Sequence, residues 1–150
     1  MHIVLFEPEI PGNTGNIGRS CVATATTLHL VGRLGFKISG RELARAGLDY
    51  WPKLNLVLHR DFPAFAASLP ADASVLVFST KAIQSFWKAP YHPNSYLLFG
   101  RESSGLPESI MTLYKESLYR IPTNSDVRSL NLSTSAGIVL YEALRQTQQH

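Results

Sequence analysis

The stretch "YLLFGRESSGLP" (96–107) changes character at Gly100. A continuous apolar run ends there, and Arg101, Glu102, two serines and Gly105 follow at once, before a helical-looking segment opens at Leu106 and Pro107. A run without alternation of apolar and polar positions is the pattern of a strand buried on both faces. The two glycines let the backbone approach a flat ligand closely, and Glu102 or Ser103 is placed to cap the following helix.

Runs of the same kind recur at "HIVLF" (2–6), "LHLVG" (28–32), "LNLVLH" (54–59), "SVLVFS" (74–79) and "SLYRI" (117–121). Between them lie helical candidates: "NIGRSCVATATT" (16–27), "GRELARAG" (40–47), "DFPAFAASL" (61–69) and "LPESIMTLYK" (106–115). Strand and helix alternate, so the expected fold is α/β, a mainly parallel sheet flanked by helices. The segment "NLSTSAGIVLYEALRQTQ" (131–148) has the clearest helical stripe, with Leu132, Ala136, Val139, Leu140, Ala143 and Leu144 on one side. The stretch "TKAIQSFWKAPYHPN" (80–94) reads as a long functional loop inside a single domain spanning 1–150.

At 150 residues and 45% apolar content, one hydrophobic core is expected. The net charge of +3 and the excess of arginine over lysine suit an anionic partner, although basic enzymes of small anions look the same. No run approaches the roughly 20 apolar residues of a membrane span, and no basic leader precedes an apolar segment, so a soluble, cytoplasmic protein is expected. Cys21, the single cysteine, is expected to be a buried, inert thiol. The histidines at 2, 29, 59, 92 and 150 have no ligand-like spacing, so no metal is expected. Glu7 and Glu9 flank Pro8 at a turn, where such acids are more often solvated than paired for acid–base work.

The first strand leads into "EPEIPGNTGNIGRS" (7–20). A dinucleotide fingerprint needs G-x-G-x-x-G and an acid about 20 residues on. Here the spacing is G-x-x-G-x-x-G, and no carboxylate follows the second strand before Glu42. A P-loop is excluded too, because Arg19 stands after Gly18 where lysine and a hydroxyl residue would be required. Two readings remain open. Either Asn13, Thr14, Asn16 and Arg19 hold a phosphate or oxyanion, or this is a turn plus a helix capped by Asn13 or Asn16, with the glycines at positive φ.

In "RIPTNSDVRSLNLS" (120–133), a strand ends at Ile121, Pro122 fixes the chain as it leaves the sheet, and Ser129 or Asn131 can cap the last helix. Ligands of open α/β sheets sit outside the carboxyl ends of strands. Three polar loops at three such ends therefore converge on one site.

These three segments, in this order, resemble the three motifs of the SPOUT RNA methyltransferases. With "RAGLDYW" (45–51), the chain from 1 to about 147 is similar to the short single-domain subgroup, the TrmL type, that 2'-O-methylates the tRNA wobble nucleotide. The resemblance implies a C-terminal deep trefoil knot, S-adenosylmethionine as cofactor, a homodimer, and a tRNA anticodon stem-loop as substrate, methylated at wobble cytidine or 5-carboxymethylaminomethyluridine. It places Arg19 and Asn16 on the first motif, facing substrate ribose and phosphate. Gly100 and Glu102 fall on the second motif, and Ile121, Pro122, Ser129, Leu130 and Asn131 on the third; with Phe78, Ser79 and Thr80 they are expected to line the cofactor pocket. Arg101 departs from the usual FG-x-E turn, where proline is commoner, which bears on loop geometry alone.

Arg41, Arg45 and Arg128 are expected RNA contacts, with Tyr50 or Trp51 packing or stacking beside them. Aromatic core anchors beside solvated charges fit that patch equally well, and Tyr141 is read as interface or core. Three other functions stay open: methylation of another tRNA or rRNA position, a catalytically silent RNA-binding dimer, and a flavodoxin-like nucleotide-binding protein.

Overall fold

The apolar runs identified in the sequence all become strands in the computed structural model, which describes residues 1–37 and 50–147. The helix expected over 40–47, with Arg41 and Arg45, lies outside the described residues. The strands are β1 (His2–Phe6), β2 (Thr27–Val31), β3 (Leu56–His59), β4 (Val75–Phe78), β5 (Gln84–Ser85), β6 (Tyr96–Phe99) and β7 (Leu118–Arg120). Among the described residues they form one seven-stranded sheet, ordered β3-β2-β1-β6-β4-β7-β5, with every pairing parallel. Strand β5 lies inside the stretch expected to be a loop; two residues are too few to carry a periodicity.

Helices α1 (Pro11–Ala23), α2 (Phe62–Ala67), α3 (Glu108–Leu113) and α4 (Leu132–Thr147) cover both faces. Ile3 and Leu5 of β1 share a core with Ile17 and Cys21 of α1 and Ala136, Val139 and Leu140 of α4. Val4 and Phe6 point the other way, into a core with Phe65 of α2 and Ile110 of α3. Burial on both faces explains the unbroken apolar strands. The expected stripe on α4 is the one buried, and Tyr141 is 58% exposed, so it is not core. Burial pushes the Cys21 thiol up to about 12. Among the described residues no helix is long and apolar enough to cross a membrane.

One polar feature crosses the α2 side of the sheet. His29 bridges His2 and His59, with ring nitrogens at 3.0 and 2.9 Å. Desolvation holds the buried His29 near a pKa of about 4.

The largest departure from expectation is the start of α1. A helix was expected from residue 16; it begins at Pro11, so "PGNTGNIG" is the first two turns of a helix and not a glycine loop. The residue preceding the helix is Ile10, which supplies no side-chain cap, so neither Asn13 nor Asn16 is the N-cap. Pro11 at the first helical position has the right φ and no N–H to satisfy. Positive φ among the described glycines occurs at Gly32 and Gly105, and at none of Gly12, Gly15 or Gly18. Gly18 serves packing instead: a Cβ there would stand 3.0 Å from the Trp51 ring.

Candidate active site

Adjacent strands β1 and β6 send their chains to opposite faces, β1 into α1 and β6 towards α3. That divergence opens a crevice beyond the carboxyl ends of the strands. The segments following β1, β6, β4 and β7 surround it, forming a cavity of about 500 Å³.

Glu102 joins the first two loops. Its carboxylate accepts from the backbone N–H of Glu9 (2.8 Å) and of Ile10 (3.2 Å), and from Asn13 Nδ2 (3.1 Å). A carboxylate from another loop thus sits at the N-terminus of α1, where amides lack partners and the helix dipole favours negative charge. The exchange is reciprocal: Glu9 accepts from the Ser103 N–H and Oγ, both at 2.8 Å, and these bonds hold its carboxyl below the usual range. Glu7 pairs with Arg101, whose guanidinium lies over the Phe6 ring. The acids at 7 and 9 are therefore the clasp between two loops, not solvated turn residues. The expectation that Glu102 or Ser103 caps the next helix is also overturned, because α3 follows Pro107 without a side-chain cap.

Asn13 carries the connection to the third loop. Its Oδ1 accepts from Asn131 Nδ2 at 3.0 Å, while Asn131 Oδ1 accepts from the N–H groups of Ser133 and Thr134, making it the cap of α4. Gly100 completes the geometry, since a Cβ there would lie 2.3 Å from the Gly105 carbonyl carbon. Only glycine allows the 100–105 loop to fold back on itself, where Arg101 and Gly105 exchange backbone hydrogen bonds.

The cavity brings together most of the residues expected to bind a cofactor. Phe78, Ser79 and Thr80 line it from the β4 end, Gly100 and Glu102 from the β6 end, and Ile121, Ser129, Leu130 and Asn131 from the β7 end. Pro122 is not among the lining residues; it is exposed and serves the chain's exit from β7. Arg128 lines the cavity, as does Lys81 on the opposite loop. Asn16 and Arg19 do not; both are exposed on later turns of α1. Arg19 stacks its guanidinium on Tyr50, 5.0 Å from the ring centroid, so Tyr50 packs within the fold. Met111 and Thr123, which the sequence did not point to, also line the cavity, as does Asn13, offered by the sequence as one of several partners for an oxyanion and not as a cofactor-pocket residue. Nothing in the sequence around Asn13 distinguishes it from Asn16; the signal lies in its 6% exposure.

Comparison with known proteins finds relatives along nearly the whole chain. A tRNA (cytidine(34)-2'-O)-methyltransferase of Yersinia pestis is 44% identical over 151 residues, covering 97% of this chain and 93% of the relative. A solved structure concerned with 2-OH methylation of C/U34 on tRNA superposes with a TM-score of 0.91 at 46% identity, over 97% of this chain and 94% of the other. An AdoMet-bound rRNA methyltransferase from Sinorhizobium meliloti, 27% identical, matches with a TM-score of 0.83 over 97% of this chain and 56% of its own. Residues 1–141 match the SpoU rRNA Methylase family, and with the strand-end loops closed around one cavity, the chain belongs to that family.

Proposed function

We propose that the protein is a tRNA ribose 2'-O-methyltransferase that uses S-adenosylmethionine to methylate the anticodon wobble nucleotide, cytidine or 5-carboxymethylaminomethyluridine. The observation that carries this reading is the Glu102–Asn13–Asn131 relay, which closes three strand-end loops around one cavity. Relatives named for position 34 support the substrate, and a family relative with AdoMet bound supports the cofactor.

The residues fit such a cofactor. A volume of about 500 Å³ lies within the usual range of small-molecule sites, roughly 300–1,000 Å³. Phe78, Phe99, Ile121 and Leu130 offer apolar walls to a flat purine, and Ser79, Thr80 and Thr123 offer hydroxyls. The Glu102 carboxylate is already engaged by three donors, so its part is to shape the 100–105 loop, which lines the cavity. When bound, the cofactor supplies an electrophilic methyl group on a sulfonium.

The remaining work is alignment of the ribose hydroxyl with that methyl group. The guanidinium fork of Arg19 suits it to orient a neighbouring phosphate and stabilise developing alkoxide charge, and not to act as a base. Asn16, one turn earlier and likewise exposed, is proposed to contact the ribose. Arg19 stands six residues beyond Asn13, or about 9 Å along the helix axis. A second copy that lays α1 beside this cavity would bring Arg19 to it, so a homodimer is part of the proposal. Arg128, at the cavity, together with Arg41 and Arg45, would contact the RNA backbone.

The proposal includes a C-terminal trefoil knot. Its support is that β7 lies between β4 and β5, with Phe78 and Gln84 both level with Tyr119. Residues 79–83 must therefore cross from one side of β7 to the other, and the proposal is that a later segment threads through the loop they make, against the usual unknotted rule.

The decisive assay is incubation with methyl-labelled S-adenosylmethionine and total tRNA, followed by mapping of the labelled nucleotide. Label at position 34 is expected; no label in any tRNA overturns the reading. The family's rRNA members favour running the same assay on ribosomal RNA, where label would shift the substrate and leave the chemistry intact.

A further inference from the structure

We infer that Tyr50 is the positioning residue for Arg19. Two observations on opposite ends of the Tyr50 side chain carry this. Its ring lies under the Arg19 guanidinium, with Cζ 5.0 Å from the centroid. Its hydroxyl donates to the Gly15 carbonyl, one turn earlier on the same helix. The next residue, Trp51, packs where Gly18 lacks a side chain, with its nearest ring atom 3.0 Å from the position of a Cβ. The 50–51 segment is thus fitted to the Gly15–Arg19 stretch of α1 at ring, hydroxyl and indole.

An exposed arginine normally samples many rotamers, and ordering one is entropically costly. A flat cation resting on an anchored aromatic face has its plane fixed, while the guanidinium N–H groups stay free to fork onto phosphate. Gly18 supplies room for the indole, so the glycine at 18 in "GNIGR" (15–19) serves this seat, while the Gly15 carbonyl receives the Tyr50 hydroxyl.

The inference rests on the reading of Arg19 as the residue that orients substrate, and the test separates the two. Turnover is measured with purified enzyme, labelled S-adenosylmethionine and tRNA, alongside cofactor affinity by calorimetry and thermal midpoint. If Arg19→Gln turns over at the wild-type rate, the role of Arg19 is wrong, and the positioning role falls with it. If Arg19→Gln is impaired, Tyr50 decides the rest. Tyr50→Leu is expected to lower kcat by roughly ten- to a hundredfold, the scale of an ångström-sized misplacement. Cofactor affinity and the KM for tRNA should stay within about twofold, because the cofactor cavity is built from other loops. Tyr50→Phe, which keeps the ring and most of the packing, should retain most of the turnover. A wild-type kcat for Tyr50→Leu overturns the inference. So does a loss that tracks weakened cofactor binding or a lowered thermal midpoint.

Discussion

Replacing Asn13 by aspartate perturbs the relay at its narrowest point. The substitution changes one NH₂ to an oxygen, keeps the shape, and keeps the acceptor used by Asn131. It removes the donor to Glu102 and sets two carboxylates at the former 3.1 Å separation. At an effective dielectric of about 20, that repulsion is about 5 kcal/mol before relaxation. Partial exposure of Glu102 lets water screen the pair and the side chains move apart, reducing it to about 2 kcal/mol. The lost charge-assisted hydrogen bond adds about 1.5 kcal/mol. The expected destabilisation is therefore about 3.5 kcal/mol at pH 7, read by urea unfolding followed through tryptophan fluorescence. Asn13→Ala loses both hydrogen bonds without repulsion and should be the milder variant at that pH. Acidification through the carboxylate range should narrow the gap between the two, since a proton shared between carboxyls replaces the lost N–H. If Asn13→Asp unfolds within about 0.5 kcal/mol of wild type, or if its deficit is indifferent to pH, the relay contributes little and the argument for loop closure fails.

Gly100→Ala should weaken S-adenosylmethionine binding by about tenfold or more in calorimetry, because a Cβ 2.3 Å from the Gly105 carbonyl carbon forces the 100–105 loop open. The folded-state pKa of His29 is lowered to about 4 from an unfolded value near 6.5, so its contribution is complete above about pH 6.5 and is lost as pH falls towards 4. The loss amounts to about 3 kcal/mol, and His29→Gln, which cannot titrate, should flatten the acid limb of a plot of stability against pH. Arg19→Lys keeps the charge and loses the fork, so methyl transfer should fall severalfold or more with unchanged cofactor affinity; wild-type turnover in the label assay would refute a bidentate role.

The parallel sheet was readable because burial on both faces leaves uninterrupted apolar runs, and "SVLVFS" or "YLLFG" admits little else. The convergence of strand-end loops followed from the same pattern. The start of α1 was not readable, because sequence rules look for a cap within the next few residues, whereas the carboxylate satisfying those amides lies 93 residues from Glu9. For the same reason Asn13 and Asn16 look alike in "GNTGNIG" (12–18), although one is buried between two loops and the other exposed. The histidine row was hidden by separations of 27 and 30 residues, which parallel pairing of β1, β2 and β3 removes. Arg101 looked like a departure from pattern; its partner Glu7 is 94 residues away, and an ion pair of that separation leaves no local trace.

The clasp between residues 7–10 and 101–103 has a kinetic consequence. Its bonds close a span of more than half the chain, so they cannot form until β6 has docked beside β1. Loop-closure entropy must be overcome before any of these contacts contributes, which makes the clasp a late event in folding. A nascent chain that has not yet released residues 96–105 from the ribosome lacks a binding cavity altogether. Binding of the proposed cofactor would therefore favour the finished molecule by mass action and leave any shorter intermediate unaided.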